Sequence, residues 1–151
     1  MNKKGFTLVE IMVVLAILIV MVLIVGAFTS VGTDKGDLLD GATEVKDLIR
    51  RAEWQSMHGK NDDNWSVHLE TTKAVLFKGI SYNASDPDNY EVEIPNSIEI
   101  SSISLTGGGS DVIFDDEFGN TSTDGLLTIS STNISDTRTI NINSVGMIDL
   151  D

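Results

Sequence analysis

The chain contains no cysteine, which excludes disulfides, thiolate catalysis and thiolate zinc sites and leaves the redox compartment unread. Proline occurs only at Pro87 and Pro95, so no proline breaks a helix in the first third. Bases are scarce and unevenly placed. After Lys78 the only one is Arg138, against thirteen Asp and Glu residues from Asp86 to Asp151. That half repels phosphate backbones rather than releasing counterions from them, which argues against a broad nucleic-acid surface. Between Glu10 and Asp34 there is no charge of either sign. The 151 residues suffice for one domain with a tail or anchor.

Ile11 to Phe28 form an uninterrupted apolar stretch of 18 residues, extendable through Thr7, Leu8 and Val9. As a helix it spans about 27 Å at ~1.5 Å per residue, close to the ~30 Å hydrocarbon core of a bilayer. Lys3 and Lys4 precede it, and Asp34, Asp37 and Asp40 follow. The positive-inside rule then keeps the N-terminus cytoplasmic and exports the rest. A secretory signal cut after Val25-Gly26-Ala27 competes with this, but its apolar region is too long and lacks a polar segment before the cut. A plain single-pass anchor, carrying a binding module that never polymerises, explains everything except Glu10. An acid inside an apolar helix costs about 2.5–3.5 kcal/mol at its centre and less near the interface. The bland account of Glu10 is an interfacial residue favoured by the positive end of the helix dipole.

The local pattern is more specific than that. The stretch MNKKG/FTLVEIMVVLAILIVMVLIVG resembles the N-terminus of type IV prepilins and of the pseudopilins of type II secretion. The resemblance implies that a prepilin peptidase cuts between Gly5 and Phe6, that Phe6 becomes the N-methylated terminus, and that Glu10 is the fifth mature residue. Glu10 of one subunit would then pair with the Phe6 amine of a neighbour. An unpaired charge in a low-dielectric bundle is costly, so this pairing would set axial register. The implied organisation is a leader (1–5), a transmembrane and assembly helix (6–30), an amphipathic helix (31–60) and a β-rich globular domain (61–151). Implied partners are the prepilin peptidase, other pilins or pseudopilins, an inner-membrane assembly platform, and membrane lipid before assembly. The location would be the bacterial cytoplasmic membrane and then a periplasmic or extracellular filament.

Beyond the apolar run, Gly26, Gly32, Gly36 and Gly41 are expected to interrupt or loosen the helix. A second helical stretch runs from about Asp37 to His58, with Leu38, Ala42, Val45, Ile49 and Ala52 forming one apolar stripe. Asp47 with Arg51 and Arg50 with Glu53 are expected as polar-face pairs, so Lys46, Arg50 and Arg51 read as a solvated face. The remainder reads as strands. WSVHLE turns Trp65, Val67 and Leu69 inward and pairs with KAVLFKG. Tyr90, Val92 and Ile94 share a face, and the alternation in Ile98–Leu105 changes phase between Ile100 and Ile103, which signals a bulge. DVIFD (111–115), LLTIS (126–130), RTININ (138–143) and VGMIDL (145–150) complete the set. A long helix followed by strands gives an α+β class, with the stripe covering one sheet face. The order of RRAEWQSM, hairpin, IPNSIEI, DVIFDDEFGN and RTININSVGMI is similar to the H-type minor pseudopilins and related minor pilins. It departs from the disulfide-closed major pilins.

Other features carry less chemistry. Some related minor pilins take up DNA through a basic C-terminal motif, whereas NSVGMIDLD is acidic where arginines would be needed. Asp115, Asp116 and Glu117, with Asp111 and Asp124, or alternatively Asp86, Asp88 and Glu91, offer oxygen ligands for Ca²⁺. Neither group has EF-hand spacing, and acidic surface turns are the usual cause. His58 and His68 belong to no catalytic motif, and TGGGS at 106–110 lacks the Lys-Ser/Thr of a phosphate loop. Asn64, Asn83, Asn120 and Asn133 begin N-glycosylation patterns in a chain rich in Asn and Ser. No active site and no cofactor is expected, and the work of the chain is assembly.

Overall fold

The computed structural model describes residues 5–58, 64–114 and 118–151; the side chains of 25–31 lie outside the described set. Among the described residues one helix, α1 (Leu8–His58), is followed by eight strands: β1 (Trp65–Leu69), β2 (Lys73–Lys78), β3 (Tyr90–Glu93), β4 (Ile98–Leu105), β5 (Asp111–Phe114), β6 (Gly125–Ser131), β7 (Thr137–Ile142) and β8 (Ile148–Leu150). The chain forms two compact units, Met1–Thr33 and Asp34–Asp151. The class is α+β, consistent with a pilin fold.

In the first unit α1 exposes every described side chain from Leu8 to Ile24. These residues, with Glu10 the one charge among them, make about 26 Å of helix at ~1.5 Å per residue. Among the described residues no helix is long and apolar enough to cross a membrane. The glycines do not interrupt α1, which is helical throughout its length. Each glycine costs a helix about 1 kcal/mol relative to Ala, a penalty that weakens a helix without ending it.

In the second unit the stripe forms as its periodicity requires. Leu38, Ala42, Val45, Ile49 and Ala52 are fully buried, and Leu48 and Gly41 join them. Gly41 has a packing reason: a Cβ there would stand 2.1 Å from Ile98 Cδ1. Helix and sheet therefore approach closely at this point. The stripe meets not one sheet but two, each four-stranded, with orders β3-β2-β1-β5 and β4-β6-β7-β8. All pairings are antiparallel. A single core joins the stripe to Val67, Leu76 and Val112 of one sheet and to Ile100, Leu127 and Ile140 of the other. Each such side chain contributes about 1.5–3 kcal/mol on full burial.

The expected bulge is present as a register shift between Ile100 and Ser102. β8 is shorter than the expected 145–150, because Asn143 Oδ1 accepts the Val145 and Met147 amides at 3.1 and 2.8 Å and folds that stretch into a turn. In β2, Ala74 to Phe77 are buried on both faces. The outer face is covered by a loop residue, Tyr82, whose ring lies 5.4 Å from Phe77 and stacks on His68 at 4.0 Å.

The anticipated helix ion pairs are replaced by tertiary contacts. Arg50 Nη2 donates to the Ile148 carbonyl at 3.3 Å, and the Arg51 guanidinium sits 4.7 Å over the Tyr90 ring. Neither Asp47–Arg51 nor Arg50–Glu53 is a salt bridge among the described residues. Arg50 does act on Glu53 through space. Burial raises the Glu53 pKa from the ordinary 4.5, and Arg50 opposes that rise without cancelling it.

Candidate functional site

Gly5, Phe6 and Thr7 precede the first helical residue, Leu8, and all three are exposed. No atom lies within 4 Å of where a Cβ on Gly5 would stand. The Gly5–Phe6 peptide is therefore non-helical and open to solvent, as any peptidase substrate must be. Two residues later the helix starts on a reciprocal cap. The Ile11 amide donates to the Thr7 carbonyl at 3.3 Å, closing the first turn. The Glu10 amide donates to Thr7 Oγ1 at 3.3 Å, while Glu10 Oε2 accepts the Thr7 amide at 3.4 Å and its hydroxyl at 3.5 Å. This is a capping box, in which N-cap and N3 side chains satisfy each other's backbone donors.

Glu10 thus has a local partner that the expectation of register pairing did not include. The Thr-x-x-Glu spacing ahead of an apolar run was the sequence signal for it. The cap holds the carboxylate at the positive end of the helix, where a negative charge is favoured. It engages Oε2 and leaves Oε1 without a bond among the described residues.

The other residues singled out from sequence are dispersed. Residues 1–4 of the expected leader lie outside the described residues, as do Asp115, Asp116 and Glu117. Asp111 Oδ1 accepts a hydrogen bond from His68 Nδ1. Asp86 Oδ1 caps its own turn by accepting the Asp88 amide at 2.9 Å, and Glu91 takes Lys73 Nζ at 3.2 Å. Among the described residues no three His, Asp or Glu side chains form a group that could hold a metal ion. His58 stacks on Trp54 with its Nδ1 3.0 Å from the Trp54 carbonyl. The TGGGS stretch is a turn that carries the chain from β4 in one sheet to β5 in the other.

Several structural residues gave no sequence signal. Ser56 Oγ lies within hydrogen-bond distance of the Trp65 carbonyl at 3.1 Å and the Phe114 carbonyl at 3.3 Å, and accepts the Trp65 amide at 2.8 Å. It ties the helix end to β1 and β5. At the other end of the same unit, Ser97 Oγ donates to Asp37 at 2.7 Å and Asn133 Nδ2 donates to Asp34 at 3.0 Å. These bonds link α1 to the β3–β4 and β6–β7 loops.

Residues 1–26 match the model of the prokaryotic N-terminal methylation motif. Comparison with curated proteins and with solved structures gives no match. The motif covers the basic residues, the Gly5–Phe6 peptide, the capping box and most of the apolar run, and it supports a type IV pilin-like prepilin-peptidase substrate.

Proposed function

We propose that this chain is a structural subunit of a type IV pilus-like filament or type II secretion pseudopilus, of the minor pseudopilin or minor pilin kind. The methylation-motif match at residues 1–26 carries the proposal, supported by the accessible Gly5–Phe6 peptide ahead of the capped helix. In this reading the peptidase cuts after Gly5 on the cytoplasmic side, and Phe6 becomes the methylated N-terminus. The apolar helix waits in the cytoplasmic membrane until an assembly platform extracts it. Neighbouring helices then replace lipid around it, and repeated heterologous contacts that do not close propagate a filament.

Glu10 has two successive tasks. In the single chain its Oε2 completes the helix cap. In the bundle its open oxygen receives the Phe6 amine of a neighbour, a pairing that only one axial register allows. The globular unit faces partner subunits or cargo, and no catalysis is assigned to it. Ordinary secretion would require a cut after Ala27, which lies inside α1. A membrane anchor that never polymerises needs neither the cut nor the acid.

The test is Glu10→Leu in cells carrying the assembly machinery. The variant is expected to insert and to be cut like the wild type, yet to be missing from sheared filament fractions. Normal incorporation would remove Glu10 from the assembly mechanism.

A further inference from the structure

Away from the N-terminal run, the Asp34–Asp151 unit exposes several large apolar side chains on segments that meet around two glycines. Trp54 and Met57 come from the last turns of α1, Phe118 from the stretch after β5, and Val145 and Met147 from the turn before β8. Their exposures run from 39% for Met57 to 77% for Phe118. Two glycines at positive φ, Gly119 (+77°) and Gly146 (+80°), bring these pieces together. A Cβ on Gly119 would stand 2.9 Å from Met57 Sδ, and one on Gly146 would stand 2.1 Å from the Gly119 carbonyl oxygen. Both positions border the Glu53 side chain, with Glu53 Oε1 3.3 and 3.0 Å from the two Cβ positions. A half-buried carboxylate therefore borders the two glycines that flank exposed Phe118, Val145 and Met147.

We infer that this patch docks a protein segment that presents apolar side chains around one lysine or arginine. Apolar surface of this kind on a folded unit marks an interaction site. The carboxylate decides the partner's charge. Glu53 has no salt bridge among the described residues, and Arg50, which acts on it through space, donates to the Ile148 carbonyl. A second copy of the same patch would set carboxylate against carboxylate, and the whole chain carries −13. Anionic lipid would meet the same repulsion. A cation from a different chain relieves the desolvated acid while its apolar neighbours cover Trp54, Phe118 and Met147, so charge fixes orientation and area supplies affinity. The inference does not depend on processing at Gly5.

The test uses the full-length chain in the cells that produce it. A photocrosslinker replaces Met147, or replaces Asp88 on the exposed loop before β3 as the control. The segment captured at Met147 is sequenced, synthesised and titrated against purified chain. The inference requires preferential capture at Met147, a segment containing Lys or Arg among apolar residues, and binding weakened roughly tenfold or more by Glu53→Gln and by Met147→Lys. Capture no stronger than at Asp88, capture of lipid or of a second copy, a segment without a base, or unchanged affinity for Glu53→Gln would each overturn it.

Discussion

Helix and sheet approach closely at Gly41, and the structure gives its replacement a definite sign. A methyl on Gly41 would sit 2.1 Å from Ile98 Cδ1, far inside contact distance, and Ile98 is 2% exposed. Gly41→Ala gains about 1 kcal/mol of helix propensity but forces an overpacked core, which costs roughly 1–3 kcal/mol. The single variant should therefore be neutral to about 2 kcal/mol less stable than wild type. Ile98→Val removes the δ-methyl and alone costs roughly 0.5–1.5 kcal/mol. In the double variant the new methyl occupies the space the old one left, so both penalties shrink together. The pair should return to about wild-type stability, with a coupling energy of about 2 kcal/mol. Urea unfolding of the full chain in detergent, followed by the fluorescence of half-buried Trp65, measures all four corners of the cycle. Unchanged m-values would confirm that the same unfolding is compared. Additivity within about 0.5 kcal/mol, or a Gly41→Ala variant stabilised by the whole helix-propensity gain, would refute the close approach.

Two further substitutions probe the same unit. Ser56→Ala leaves the Trp65 amide and the Trp65 and Phe114 carbonyls without their hydroxyl partner at a site that is 8% exposed. It should cost about 1–3 kcal/mol and speed hydrogen exchange at the Trp65 amide; exchange as slow as wild type would show that the hydroxyl does not hold β1 to the helix. Glu53 binds its proton more tightly when folded, so the native state holds more proton than the unfolded chain and stability falls as pH rises from the ordinary 4.5 through the raised native value. Glu53→Gln should remove that decline and raise the urea midpoint at pH 8 more than at pH 4, whereas an equal effect at both would rule out the desolvated carboxylate.

What could be read in advance follows the range of the forces involved. The stripe from Leu38 to Ala52 and the bulge after Ile100 are local periodicities, and both appear where expected. The split into two sheets depends on which strand finds which partner. β4 and β5 are neighbours in sequence, yet they lie in different sheets, and no local pattern encodes that choice. Arg50 and Arg51 satisfied an i,i+4 or i,i+3 rule on paper. A carbonyl on β8 and a ring on β3 compete better for them, because such contacts cover side-chain area that a solvated ion pair leaves in water. The four buried residues Ala74–Phe77 carried a readable signal of burial on both faces. What covered the outer face was not readable, since Tyr82 comes from a polar loop. At the N-terminus the methylation motif was legible in the sequence, while the role of Thr7 lay in a spacing that only the cap makes plain.

The account rests on a covalent event at Gly5–Phe6, and mass spectrometry of the N-terminal peptide of mature chain from its native cells tests it most directly. A peptide beginning with N-methyl-Phe6 is the expected result. A chain beginning at Met1, or at Phe28 after a cut behind Ala27, would contradict it.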